Sequence, residues 1–289
     1  MSSDQQTAQL SQGAIRYRDT GEGEPILFVH GALVDGQLWS KVTPRLEDEF
    51  RCVVPDLPLG SHRLPMAPDA DLTPPGLARL IDDFAEALDL GPVTLVGNDT
   101  GGALCQLVAT NRRDRVARLV LTNCDSHDRF PPFPFTLFKY LAFVPGGLWA
   151  MGQPFRSRAI SRRIIGTIAN EPVPDEIVDA WAQPPLENAG VRRDLGKLLK
   201  SVSPKYTLEA AERLRSFDRP ALLAWAPNDR FFKLDYAERF AREIPDCRLE
   251  LVEGSRTFVP WDRPERLAEL IAEFASAGAQ SPAAAETGS

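Results

Sequence analysis

A carboxylate stands at the centre of the stretch LVGNDTGGAL, residues 95–104. Gly97 and Gly101 bracket Asp99, and Gly102 follows. The apolar run before it and the helical pattern after it predict a strand that reverses directly into a helix. Small residues on either side of the turn let the central side chain stand exposed above the sheet, the G-x-Nu-x-G spacing of a nucleophile elbow. A carboxylate placed there is ionised at neutral pH and attacks carbon without needing a base. The helix opening near Thr100 aims unsatisfied amides at the same point, and the Thr100 amide is placed to stabilise an oxyanion. The bland alternative is a turn-forming Asp with no chemistry.

Other reactive groups lie at the ends of other apolar runs. His30 and Gly31 close the strand in LFVHGALVDG, where a second oxyanion amide would come from Ala32. Asp229 follows the strand of LLAWAPND, the place for an orienting acid, and Asp125 follows VLTNC. The chain has three histidines. Besides His30, His62 lies in the Pro/Gly-rich loop DLPLGSHRLPM and His127 in NCDSHDRF; His62 is the better placed to reach the site. The four cysteines share no close spacing, so neither a metal site nor a redox pair is expected.

These groups need a frame. Short apolar strands alternate with helices up to about residue 127 and again from about 216, predicting parallel βαβ units with helices on both sheet faces. GQLWSKVTPRLED reads as one of those helices. TPPGLARLIDDFAEALDL is another, opened by Thr73 and two prolines. Between the two halves, RFPPFPFTLFKYLAFVPGGLW begins a segment of irregular helices without strand signals. The division is therefore an α/β core over 1–127 and 216–276, a helical cap over 128–215, and a disordered small-residue tail over 277–289. Phe130, Phe133, Phe135, Phe138, Trp149 and Trp181 are numerous enough to line an apolar pocket under the cap.

The elbow, the His-Gly pair and the late acid together resemble the α/β-hydrolase fold over about residues 13–275. The Asp at the elbow resembles the branch of haloalkane dehalogenases and epoxide hydrolases. That resemblance implies attack by Asp99 on carbon to give an alkyl-enzyme ester, which water then cleaves. The sequence departs from the branch in three places. Thr100 stands where a Trp normally helps hold a halide, and Leu33 where Pro usually follows the His-Gly pair. Most seriously, EGSRTFVPWDRPE carries Arg256 and Thr257 where Gly-His would bring the catalytic base, while Phe258, Pro260 and the following helix match. The resemblance thus puts Thr257 in the place of the base. Epoxide opening would further call for a cap phenol, for which Tyr140 and Tyr206 are available.

Composition narrows the classes. With 43% hydrophobic and 25% charged residues this is an ordinary globular chain, and a net charge of −7 disfavours nucleic-acid binding. RSRAISRR reads mainly as a solvated helix face. No signal peptide or spanning segment is visible, so the expected setting is cytoplasmic, without membrane partner, metal or cofactor. The expectation is a hydrolase of a small hydrophobic ester, epoxide or halide built on Asp99. The alternatives are a lyase, isomerase or cyclase on the same scaffold with Asp99 as general acid or base, and an inactive ligand-binding protein.

Overall fold

The computed structural model describes residues 5–277. Its strands are β1 (Gln5–Leu10), β2 (Gly13–Thr20), β3 (Glu24–Val29), β4 (Phe50–Pro55), β5 (Val93–Asp99), β6 (Val116–Cys124), β7 (Ala221–Trp225) and β8 (Cys247–Leu251). They form one sheet in the order β1-β2-β4-β3-β5-β6-β7-β8. The β1/β2 and β2/β4 pairs are antiparallel and the other pairs parallel. Successive residues of a strand point to opposite faces, so each central strand feeds two cores. Leu27, Leu95 and Leu121 pack on one side, and Ile26, Phe28, Val96, Val120 and Leu222 on the other. Burial on both faces is why these strands read as unbroken apolar runs.

Helices cover both faces. On the first lie α1 (Pro74–Ala87) and α2 (Thr100–Asn111). The Thr73 hydroxyl caps α1 by accepting from the Gly76 amide at 3.3 Å. Between β6 and β7 the described chain holds only helices: α3 (Thr136–Leu141), α4 (Gly147–Gly152), α5 (Arg158–Ile165), α6 (Asp175–Glu187), α7 (Ala189–Ser201) and α8 (Pro204–Leu214), with one 3₁₀ turn. The last of these packs on α2, and its Ala210, Ala211 and Leu214 join the core of that sheet face. After β7 come α9 (Leu234–Glu243), α10 (Val259–Asp262) and α11 (Pro264–Ala277); Leu267, Leu270 and Ile271 of α11 fill the second face. No described helix is long and apolar enough to cross a membrane.

Two local expectations change. The helix read in GQLWSKVTPRLED is a pair of short 3₁₀ turns, Gly36–Trp39 and Thr43–Arg45. Pro44 carries no amide hydrogen and cannot continue a hydrogen-bonded helix through that segment. β1 was not marked by apolar alternation, because QQTAQL forms an exposed edge with only Ala8 buried. The tail expected over 277–289 lies outside the described residues except for Ala277, which closes α11.

β3 sits between β4 and β5, so strand order reverses there, and the crevice at the carboxyl ends of β3 and β5 is the natural place for a ligand. His30 to Ala32 leave the end of β3, Asp99 ends β5, and Asp125 follows β6.

Candidate active site

Asp99 has φ 54° and ψ −130°, a backbone conformation that a residue with a Cβ rarely adopts. Such strain costs on the order of 1–3 kcal/mol and persists only where neighbours enforce it. The enforcement is steric. A Cβ on Gly101 would collide with the carbonyls of Val29 and His30, and one on Gly31 would collide with the Asp99 carboxylate. Glycine at both positions therefore lets β3 and the start of α2 close around the turn.

The Thr100 and Ala32 amides lie beside the Asp99 carboxylate and favour its charged form. Burial pushes its pKa from 3.8 up to about 7; the Thr100 amide works against this, the Asp229 charge reinforces it, and the Ala32 amide opposes it. Asp125 lies behind the turn, fully buried, with its Oδ2 accepting from the Thr100 hydroxyl at 3.1 Å and its Oδ1 unpartnered. Burial first, and the Asp99 charge second, drive its pKa well above the ordinary carboxylate range. Two carboxylates without a neighbouring cation cannot both ionise easily. The larger rise falls on Asp125, and the Thr100 and Ala32 amides hold that of Asp99 down.

Asp229 and Thr257 meet opposite this pair. The Thr257 hydroxyl donates to Asp229 Oδ2 at 2.7 Å, and the Phe231 and Phe232 amides donate to Oδ1 at 2.7 and 2.8 Å. Burial still raises the Asp229 pKa against these donors. The Thr257 carbonyl accepts from Asn98 Nδ2 at 2.7 Å, which ties the loop after β8 to the residue before Asp99.

None of the three histidines lines this site. The Leu57 amide donates to His30 Nε2 at 2.9 Å, leaving Nδ1–H to donate to the Gly31 carbonyl at 2.8 Å. Burial pulls the His30 pKa down to about 4, so the ring is neutral and braces the turn. His62 is buried against Asp194 at 3.3 Å, and His127 against Glu243 at 2.9 Å.

Above Asp99 is a cavity of about 140 Å³, with Ala32, Asp99, Thr100, Asp125 and Thr257 among its lining residues. The remaining wall is hydrocarbon, and the insertion supplies much of it. Of the aromatics expected there, Phe130, Phe135 and Phe138 line the cavity. Phe133 and Trp149 are exposed, and Trp181 is buried elsewhere with its indole N–H donating to Asp35 at 2.8 Å. Tyr140 points to solvent, and Tyr206 packs on the core of the sheet. Residues not anticipated include Ile164 and Ile165 at the end of α5, Ile168 in the turn after it, and Phe231 and Phe232 beside Asp229. In the arginine cluster, Arg158 and Arg162 pair with Asp175 and Asp179 of α6 at the surface.

A mostly parallel sheet, a strained turn at its switch point and a helical insertion over it define an α/β-hydrolase architecture. The chain belongs to the alpha/beta hydrolase family, whose model matches residues 26–270, and is an enzyme of that superfamily. It is 30% identical over 274 residues to haloalkane dehalogenase 2 of Mycobacterium tuberculosis, covering 91% of this chain and 92% of the relative. It is also 29% identical over 285 residues to the cis-3-alkyl-4-alkyloxetan-2-one decarboxylase of Xanthomonas campestris, covering 90% and 92%. Among solved structures, DBJA superposes with a TM-score of 0.78 at 20% identity, covering 95% of this chain and 99% of that one. The meta-cleavage product hydrolase of Pseudomonas fluorescens superposes at 0.77 and 19% identity, covering 94% and 98%. These two likenesses concern the fold alone.

Proposed function

We propose that Asp99 is a nucleophile toward a small hydrophobic electrophile held in the cavity, a halide, an epoxide or a strained ester. The observation that carries this is a carboxylate held on a strained strand-to-helix turn at the floor of an apolar chamber, with the Thr100 and Ala32 amides beside it. In the first step an Asp99 oxygen bonds to the substrate carbon, and the carbon–leaving-group bond breaks with its electron pair. A halide departs as the anion. A ring oxygen departs as an alkoxide and takes a proton: the Thr100 hydroxyl turns from Asp125 to donate to the alkoxide and receives the proton of a neutral Asp125 in return, leaving Asp125 ionised. The Ala32 and Thr100 amides hold the oxygen that becomes the ester carbonyl, and they would stabilise the oxyanion if water adds to it.

The 30% identity to a haloalkane dehalogenase supports the nucleophilic role. The second half of a hydrolytic cycle is poorly served. A threonine hydroxyl bound to Asp229 at 2.7 Å is no base, and positioned base catalysis contributes typically about 10²–10⁴ in rate. The same feature favours a second reading, in which the enzyme completes its reaction without water, and the 29% identity to a protein named as an oxetan-2-one decarboxylase supports it. In that reading Asp99 bonds to a carbon of a strained lactone ring as the ring C–O bond breaks. The freed substrate carboxylate then leaves as carbon dioxide, its electron pair forming a C=C bond while the Asp99–carbon bond breaks and returns the Asp99 carboxylate.

Intact-protein mass spectrometry tests both. Incubation with a short alkyl halide or epoxide should give one stable adduct on the peptide containing Asp99, absent in Asp99→Ala. Turnover in ¹⁸O-water separates the two readings, since only hydrolysis places the label in product or on Asp99. No adduct and no product from any such electrophile would refute the nucleophile.

A further inference from the structure

The described residues include nine large hydrophobic side chains that face solvent, and six of them fall between residues 133 and 149. These are Phe133, Leu137, Tyr140, Phe143, Val144 and Trp149, each 48–69% exposed. They lie on and around two successive short helices, α3 and α4, which pack against each other. Scattered exposed apolar residues need no explanation, but a concentrated patch of aromatics marks a surface that is covered in use.

Charge indicates what covers it. Although the chain carries a net −7, there is no Asp or Glu from Arg129 to Asn170, while that span holds Arg129, Lys139, Arg156, Arg158, Arg162 and Arg163. Arg158 and Arg162 are neutralised by α6, but Arg156 and Arg163 remain exposed. Lys200 of α7 reaches in from the side, its Nζ 5.5 Å above the Phe143 ring. Two copies meeting through this face would oppose like charges. A lipid surface offers the complement: apolar depth for Phe, Leu and Trp, an interfacial layer that favours Trp and Tyr, and anionic headgroups for the cations.

We infer that the outer face of the helical insertion docks on an anionic lipid bilayer surface. This is surface attachment, since no described helix is fit to span a membrane, and it departs from the sequence expectation of no membrane partner. The placement has a use. Phe138, on the same short helix as exposed Leu137 and Tyr140, lines the cavity over Asp99. An apolar compound partitions into bilayers, so a protein docked through α3 and α4 would draw its substrate from the lipid phase rather than from water.

The test is co-sedimentation of the full chain with sucrose-loaded vesicles of phosphatidylcholine alone and with about one-third phosphatidylglycerol, the anionic fraction setting the surface charge. The protein should pellet with the anionic vesicles, pellet less with the neutral ones, and be released in part by salt. Removing two inserting aromatics in Phe143→Ser/Trp149→Ser should weaken partitioning by about tenfold or more. Leu208→Ser, at an exposed apolar side chain outside the patch, should bind as wild type. Arg156→Glu/Arg163→Glu leaves the apolar patch intact and should remove only the preference for anionic vesicles. Urea unfolding of each variant establishes that it is folded. Failure of the wild type to pellet with either vesicle overturns the inference, as does equal loss of binding in Leu208→Ser. A wild-type dimer in sedimentation velocity that Phe143→Ser/Trp149→Ser dissolves would assign the patch to a second copy and would also overturn it.

Discussion

Replacing Asp99 by Asn should stabilise the protein at alkaline pH and leave it nearly unchanged in acid. The folded state holds the Asp99 carboxyl near pKa 7, whereas an unfolded chain titrates near 3.8. Below pH 4 both states are protonated and the group contributes nothing. Between about 4 and 7 the unfolded chain loses its proton and the folded one keeps it, so the unfolded state gains free energy and stability falls with rising pH. Above 7 both are ionised and the full penalty stands. At about 1.4 kcal/mol per pH unit, the interval sets an upper bound of about 4 kcal/mol. Asn keeps the shape and a carbonyl acceptor beside the Ala32 and Thr100 amides, but has no charge to desolvate. Urea unfolding of wild type and Asp99→Asn at pH 4.5 and pH 8, read as midpoint at matched slope, gives the difference at each pH. We expect a variant more stable by a few kcal/mol at pH 8, with most of that gap gone at pH 4.5. A gap that does not change with pH, or a variant less stable at pH 8, would refute the claim that burial raises the Asp99 pKa.

Three further changes probe the rest of the site. Thr257→His places an imidazole against Asp229, and the lifetime of an alkyl adduct on Asp99 should shorten by about 10²–10⁴, measured by mass spectrometry after excess reagent is removed; an unchanged lifetime would mean that the missing base is not what limits cleavage. Asp125→Asn should slow adduct formation by an epoxide about a hundredfold while leaving an alkyl chloride within a few fold, because only the ring oxygen needs a proton; equal slowing of both would assign Asp125 a packing role. Gly31→Ala drives a methyl group into the Asp99 carboxylate and should abolish alkylation while destabilising the fold by about 1–3 kcal/mol; normal alkylation would mean the turn is less tightly closed than the structure has it.

Local rules carried much of this protein. The strand-to-helix reversal at Asp99 is written in adjacent residues, because only small side chains at Gly97, Gly101 and Gly102 allow so sharp a turn. Parallel strands bury both faces, so ILFV, VTLV and ALLAW announced themselves as continuous apolar runs. Where burial is one-sided or slight the signal failed. β1 is an exposed edge read by no periodicity, and the segment after Gly36 looked helical but forms two short 3₁₀ turns, the second holding Pro44.

What the sequence could not decide was which distant groups meet. His30, His62 and His127 are alike as residues; their partners Leu57, Asp194 and Glu243 stand 27, 132 and 116 positions away, and those pairings leave the cavity without a histidine. The same holds for charge state. Asp99, Asp125 and Asp229 are ordinary carboxylates as residues, and it is burial first, with a neighbouring carboxylate charge second at Asp99 and Asp125, that raises the affinity of each for its proton. Turns and strands depend on neighbours in sequence and are legible there. Desolvation and pairing depend on neighbours in space, and those exist only once the chain has folded.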